Sequence, residues 1–513
     1  MKFLQRLFVC VGLAIAIDLP AQQRPNILLI VSDDHAYQAI SAYGSRLTQT
    51  PAIDRIAKEG VLFKKAYVTN SICGPSRAVI LTGKYSHKNG FKDNENSRFD
   101  GSQNTFIKEL TKSGYQTAWI GKWHLETVPQ GFTYWQILPG QGQYYNPDFI
   151  GMDSSRKRMD GYVSNVIEDV AEQWLDQRDT SRPFCLVIGH KATHRTWMPD
   201  TTDLGRFDNV TFPLPHNFYD NYESRPAAAV QDMTIAKTMR MDYDLKMFAI
   251  EAAENKEGSI SRMNAAQRAK FDAYYKPVYE DLQRRNLSGN ALTEWKYQRY
   301  LRDYLSTAAS LDRNIGRTLD YLDKHGLTGN TVVIYMSDQG FYMGEHGWFD
   351  KRWMYEESFR TPMMMRYPGV VKPGTVNENF VMNLDIAPTV LQVAGVAIPH
   401  DMQGKSFLPL LKNRKAKGRE VMYYHYYENG EHSVSPHFGI RTARYKLIRF
   451  YTRVNGWELY DLQKDPAETH NRFGQKGYEK ITGVLMKQLT AQVKEYEDQD
   501  AAAILGQSGK KAF

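Results

Sequence analysis

Three continuous apolar runs punctuate the chain: residues 27–31 (ILLIV), 184–188 (FCLVI) and 331–336 (TVVIYM). Runs of this length without alternation are what strands covered on both faces require. Between them, apolar residues fall at helical spacing over 52–59, 105–112, 163–177 and 297–325. Strands alternating with helices predict an α/β fold, a large, mostly parallel sheet flanked by helices. Residues 201–293 break this pattern. They are polar and rich in Tyr and Met, and read as an insertion, helical in its second half, over the sheet edge or the mouth of a site. Beyond residue 411 comes a basic linker, 412–419, then short alternating aromatic segments at 421–427 and 445–451, then a helix over 478–496. This predicts a main domain over 22–411 and a smaller C-terminal α+β domain, 412–513, with an antiparallel sheet.

The N-terminus has a different character. Lys2 and Arg6 precede an apolar stretch at 7–17, and Leu19-Pro20-Ala21 offers a small residue for cleavage. That is the layout of a secretory signal over 1–21, and the apolar run is too short to span a bilayer comfortably. The expectation is an exported protein, periplasmic or secreted, cleaved near Ala21 and without a membrane segment thereafter. Of three cysteines, Cys10 leaves with the signal; Cys73 and Cys185 remain, too few for a disulfide scaffold. The 65 Lys and Arg exceed the 57 Asp and Glu by eight. An excess of this size favours an anionic partner without choosing among nucleic acid, membrane and acidic substrate. No internal repeat or low-complexity tract is visible.

Candidate chemistry sits where the strands end. Ser32-Asp33-Asp34-His35 follows the first apolar run directly, and Ser337-Asp338-Gln339-Gly340 follows the third. Adjacent carboxylates at the carboxyl end of a buried strand need neutralising, and open α/β sheets place their ligand sites at that end. Asp33, Asp34, Asp338 and Gln339 form an all-oxygen set suited to Ca²⁺ or Mg²⁺. Each pair alone reads equally well as an Asx cap; two at equivalent strand ends favour a metal. A third element is Cys73-Gly74-Pro75-Ser76-Arg77, leading into an apolar helical stretch. A cysteine at a helix N-terminus has a stabilised thiolate, with Arg77 one turn on. The alternative is a buried free cysteine.

The stretch CGPSRAVILTG, residues 73–83, resembles the signature of the type I sulfatases, a branch of the alkaline-phosphatase-like superfamily. The Asp33-Asp34 pair, Gly121-Lys122-Trp123-His124, Lys191-Ala192-Thr193-His194, Asp338-Gln339-Gly340 and Lys351 recur in that family's order. The resemblance implies that a maturation enzyme oxidises Cys73 to formylglycine. The aldehyde hydrate attacks the sulfate sulfur and displaces the alcohol, and collapse of the second hydroxyl then expels sulfate. It implies a divalent cation, Ca²⁺ or Mg²⁺, on Asp33, Asp34, residue 73, Asp338 and Gln339. Arg77 and Lys122 are implied as clamps on the sulfate, His124 as the base on the diol, and His194 with Lys351 as the acid on the leaving oxygen. Two departures are visible. Thr193 stands where many relatives carry Pro, leaving that loop less fixed. Gln339 replaces Asn or His and keeps an oxygen.

The layout from Gly344 to Pro362 resembles carbohydrate sulfatases. The segments at 423–428 and 431–441 are similar to bacterial N-acetylglucosamine-6-sulfatases. That implies exo-acting removal of the 6-O-sulfate from glucosamine in glycosaminoglycans. The partner is then a sulfated mono- or oligosaccharide, not nucleic acid. His346 and Arg352 are expected near the sulfate, and His437 and Arg441 on the sugar, with the neighbouring tyrosines stacking on it. Other sulfate esters (2-O-sulfated uronic acid, sulfated galactose, choline or aryl sulfate) and a metal-dependent phosphatase or phosphodiesterase are the alternatives.

Overall fold

The computed structural model describes residues 24–249, 260–413 and 415–509. The proposed signal, 1–21 with Cys10, lies outside the described residues. The apolar runs become the centre of a ten-stranded sheet. Its order is Thr375–Asn377, Val61–Phe63, Met363–Arg366, Thr331–Ser337, Asn26–Ser32, Phe184–Gly189, Gln116–Lys122, Tyr134–Leu138, Asp148–Gly151, Arg156–Arg158. Thr331–Ser337, Asn26–Ser32, Phe184–Gly189, Gln116–Lys122 and Tyr134–Leu138 run parallel, each beside the next. The flanking pairs are antiparallel, apart from Thr375–Asn377 with Val61–Phe63. The sheet is therefore mixed, with a parallel core. Alternate side chains of the central strands feed two separate cores, Leu28, Ile30 and Leu186 on one face and Ile27, Leu29 and Val187 on the other. That explains why these strands read as unbroken apolar runs.

Residues 201–249 form turns and the short helix Pro226–Val230. Phe207, Phe212, Phe218 and Met239 from this stretch pack with Tyr297 and Tyr300 of the long helix Gly289–Lys324. Helix Ala265–Arg285 completes the insertion, opened by a reciprocal cap between Asn264 and Gln267. A second sheet, Met422–Tyr426, His437–Arg441, Tyr445–Phe450 and Gly456–Asp461, is wholly antiparallel. Residues from this sheet share a third core with Tyr67, Trp353 and Phe359 of the main body and with Leu485 and Leu489 of helix Glu479–Glu495. No described helix is long and apolar enough to cross a membrane.

Candidate active site

Four neighbouring parallel strands deliver side chains to one edge of the sheet. Asn26–Ser32 and Thr331–Ser337 are in register through Ser32 and Ser337. The Asp338 N–H donates to Ser32 O at 3.0 Å, and the Asp33 N–H to Ala192 O at 3.0 Å. Asp33, Asp34, Asp338 and Gln339 thus emerge together with Lys122 and the 191–194 loop, and all four are fully buried. Asp34, at φ 61°, turns back so that its N–H donates to Asp338 Oδ1 at 3.1 Å.

The Cys73 segment closes the site from above. Cys73 opens helix Cys73–Thr82, every residue of which is buried. Pro75 sits in its first turn, where a missing N–H costs nothing. Gly74 leaves no room for a side chain, because a Cβ would collide with the Phe91 ring and Asn94 Oδ1. Ser76 Oγ donates to the Asp338 carbonyl, and Arg77 Nε to Asp338 Oδ2 at 3.0 Å. The signature residues therefore lock the helix start onto the loop that carries Asp338 and Gln339. Cys73 Sγ lies 3.2 Å from Asp33 Oδ1 and 3.6 Å from Gln339 Nε2. The thiolate expected at this helix end is not stabilised: burial, and then the Asp33 charge, push the thiol well above its usual range. Desolvation outweighs what a helix terminus offers. Cys73 and Cys185 are both free and buried, so neither pairs with the other.

Cations surround this acid cluster. Lys122 Nζ is ion-paired with Asp33 and donates to Gln141 Oε1 at 2.5 Å. Lys351 Nζ donates to Asp34 Oδ2 at 2.6 Å. Burial raises the Asp33 carboxyl, but the charges of Lys122 and Arg77 hold it well below the carboxylate range. Burial, opposed by Lys351 and reinforced by Asp33, raises Asp34; burial and Asp33 raise Asp338. Lys351 is held charged by Asp34 against its burial. Burial, then Lys122, pushes His124 and His194 well below the ordinary histidine value, so both are neutral.

These groups fit a divalent cation. Ligand atoms of Asp33, Asp34, Cys73 and His194 lie within 4.8 Å of one another. Gln339 Oε1 is buried without a hydrogen-bond partner, while its Nε2 faces Asp34 and Cys73. A half-turn of the amide, which exchanges the two atoms, presents an oxygen to the carboxylates. Oxygen donors of this kind suit Ca²⁺ or Mg²⁺.

Thr193 corrects an expectation. Its N–H donates to Asp33 O at 2.5 Å and its hydroxyl to Asp34 O at 2.9 Å. Threonine ties the loop to the acidic pair instead of loosening it. Other expected residues have their polar atoms engaged within the protein. His346 is buried, its Nδ1 on Asp220 Oδ2 at 2.6 Å and its ring among Tyr342, Trp348 and Tyr355. His437 uses both ring nitrogens internally, on Ser435 O at 2.8 Å and the Met354 N–H at 3.1 Å. Arg441 pairs with Glu356 and lies over the Tyr67 and Phe380 rings. Tyr423, Tyr424 and Tyr426 are core residues. His437, Arg441 and these tyrosines pack the second sheet against the main body, and His346 packs within the main body.

Arg352 differs. It pairs with Glu428 at 3.1 Å and Asp350 at 3.7 Å, next to Lys351. Asp350 Oδ2 also meets His432 Nε2 at 2.9 Å, and Arg195 NH1 reaches the same His432 nitrogen at 3.4 Å. Glu428 accepts from the Asn94 N–H at 3.1 Å, and Asn94 in turn holds Gly74. A charged rim thus runs from Lys351 round to the signature helix. Of its members, Lys351 and Arg352 were named as site residues from the sequence; Asp350, Glu428 and His432 lay in segments noted there only for their resemblance.

A sheet edge with buried carboxylates, flanking cations and a buried cysteine fits an ester hydrolase of the sulfatase class. The family model described as Sulfatase matches residues 25–396, and one described as N-sulphoglucosamine sulphohydrolase, C-terminal, matches 344–495. The chain belongs to the sulfatase family. It is 48% identical over 491 residues to an N-acetylglucosamine-6-O-sulfatase of Bacteroides thetaiotaomicron, covering 93% of this chain and 88% of that protein. An ulvan-active sulfatase of Formosa agariphila is 27% identical, covering 93% and 81% respectively. Among solved structures, a protein in complex with its substrate D-glucosamine-2-N,6-O-disulfate superposes with TM-score 0.91 at 48% identity, covering 93% of this chain and 99% of that one.

Proposed function

We propose that the enzyme removes the 6-O-sulfate from N-acetylglucosamine or N-sulfoglucosamine at the end of a glycosaminoglycan chain, after export from the cytoplasm. The 48% identity to an N-acetylglucosamine-6-O-sulfatase across nearly the full length carries the substrate assignment. The charged rim at the mouth supports an exo-acting pocket, because Asp350, Arg352, Glu428 and His432 offer paired donors and acceptors of the kind that hold sugar hydroxyls.

We assign the following roles. Asp33, Asp34, Asp338 and Gln339, with residue 73, hold a divalent cation, Ca²⁺ by its preference for several carboxylate and carbonyl oxygens. When bound, that ion supplies Lewis-acid charge beside the reacting sulfate. A maturation enzyme converts Cys73 to formylglycine, whose hydrate supplies the nucleophile and the means of expelling sulfate. Arg77 and Lys122 bring fixed positive charge to the sulfate oxygens without reorganising. Neutral His124, whose Nδ1 has no protein partner, takes a proton from the hydroxyl at residue 73. The leaving alcohol oxygen receives its proton from the side of His194 and Lys351, where Lys351 is the group held protonated.

A panel of defined saccharides tests this. Sulfate release is expected from 6-O-sulfated glucosamines, with loss at O6 by NMR. Turnover restricted to 2-O-sulfated uronic acid, sulfated galactose or aryl sulfate would overturn the substrate assignment.

A further inference from the structure

Beside His194 a cavity of about 410 Å³ opens toward the insertion, bordered by Gln141, Tyr144, Lys191, Arg195, Arg240 and Tyr243. None of these border residues has a part in the proposed chemistry. Lys191 is 4% exposed, and among the described residues no carboxylate lies within ion-pair distance of its ammonium. Its hydrogen-bond partner is the Gln141 carbonyl at 3.0 Å, and it sits 4.7 Å from the Tyr144 ring centre. A buried ammonium without a counter-charge is costly unless a ligand supplies one. Burial, then Lys122, pushes Lys191 down to about 7.

Two guanidiniums stand on the outer side. Arg195 is bidentate to Asp244, and Arg240 pairs with Asp242. Both pack on the Tyr243 ring, at 5.4 and 5.3 Å from its centre, and that ring is 52% exposed. Among the described border residues, Arg195 and Arg240 are paired with carboxylates and Lys191 is not. Arg195 also reaches His432 on the rim. It therefore separates two compartments that share His194's side of the site: the rim with its paired donors and acceptors, and this cationic cavity.

Resting on the glucosamine 6-sulfate assignment, we propose that this cavity is a second anion subsite, in which Lys191 with Arg195 and Arg240 receives an oxyanion carried by the substrate away from O6. With O6 at His194, the sugar's C2 nitrogen lies across the ring, and the next residue hangs from C1 beside it. The oxyanion is therefore either a sulfamate on C2 or the carboxylate of a following uronic acid. Lys191 sits three residues before His194 on the same loop, so substrate charge and leaving-group chemistry are positioned by one segment.

The test compares kcat/KM of the mature enzyme and of Lys191→Met on three substrates: N-acetylglucosamine 6-sulfate, N-sulfoglucosamine 6-sulfate, and the N-acetyl sugar linked to a uronic acid. Methionine keeps the packing on Tyr144 and removes the charge. The preference for one of the two doubly anionic substrates over the N-acetyl monosaccharide is expected to fall at least tenfold, through KM. The arm that falls names the oxyanion. Arg240→Ala, at an exposed position, should lower the same preference less and serves if Lys191→Met folds poorly. Turnover of all three substrates with unchanged preferences in both variants would overturn the subsite alone. No turnover of any of them by the unaltered enzyme would overturn the substrate assignment, and the subsite with it.

Discussion

At Cys73 burial decides the chemistry. The thiol is surrounded by carboxylates that disfavour its ionisation, so as a cysteine it is a poor nucleophile. The conversion proposed for Cys73 would replace a group this pocket suppresses with an aldehyde hydrate it can use. The same pocket explains Thr193. Its hydroxyl ties Asp34 O to the loop that carries His194, in a place where Tyr304 also donates to that carbonyl. Thr193→Val should cost about 1 kcal/mol, the usual worth of such a bond where the acceptor keeps a partner. Calorimetry should show a modest fall in Tm with reduced turnover; unchanged values would mean the hydroxyl does not hold the loop. The acidic pairs were legible because they follow strand ends directly; Cys73, Lys122, His124, His194 and Lys351 were read through the family resemblance, and the structure gathers them around those pairs. His346, His437 and Arg441 misled because they are polar residues with internal partners, and chain position does not reveal a partner.

Strands and helices follow the same rule. The apolar runs were readable because parallel strands are covered on both faces. The alternating tyrosines of Met422–Tyr426 were misread for a related reason. That sheet is also covered twice, by helix Glu479–Glu495 and by the loop around Trp353 and Met354, so alternation there separates two buried faces, not core from solvent. Helix Val163–Gln177 carries a further consequence of burial. Glu168 is fully buried, bonded by Thr318 Oγ1 through one oxygen with the other unpartnered. Burial pushes its carboxyl up to about 8. Folding therefore favours the protonated acid. The unfolded chain releases that proton from about pH 4.5 upward, so this position destabilises the fold increasingly as pH rises to about 8 and no further. Glu168→Gln should match the native protein below pH 4.5 and exceed it by a few kcal/mol near pH 8. A Tm difference independent of pH would contradict this.

Taken entire, the molecule joins the four-stranded sheet to the body built on the ten-stranded sheet through charge as well as apolar packing. Glu356, which opens the short helix Glu356–Phe359 after Lys351, receives Arg441 at 3.2 Å and Lys446 at 3.0 Å from the four-stranded sheet. Lys446 also holds Glu468 at 2.7 Å. Removing one member of a buried ion network typically costs about 3–5 kcal/mol. Glu356→Ala should lower Tm accordingly in a single transition of both sheets; two separated transitions would show that the sheets are energetically independent. This junction was invisible in the sequence, since its members lie far apart along the chain. It matters for function because the rim residues come from both sides of it, Asp350 and Arg352 from one, Glu428 and His432 from the other. The central claim is that the assembled molecule is a sulfatase whose nucleophile arises at Cys73. It is tested most directly by preparing the protein with and without a formylglycine-generating enzyme and plotting sulfate release against the converted fraction of the tryptic peptide 66–77, in which sulfur is exchanged for oxygen and two hydrogens are lost. Activity proportional to conversion, extrapolating to none, is the expected result. Full activity with an unmodified thiol would contradict it.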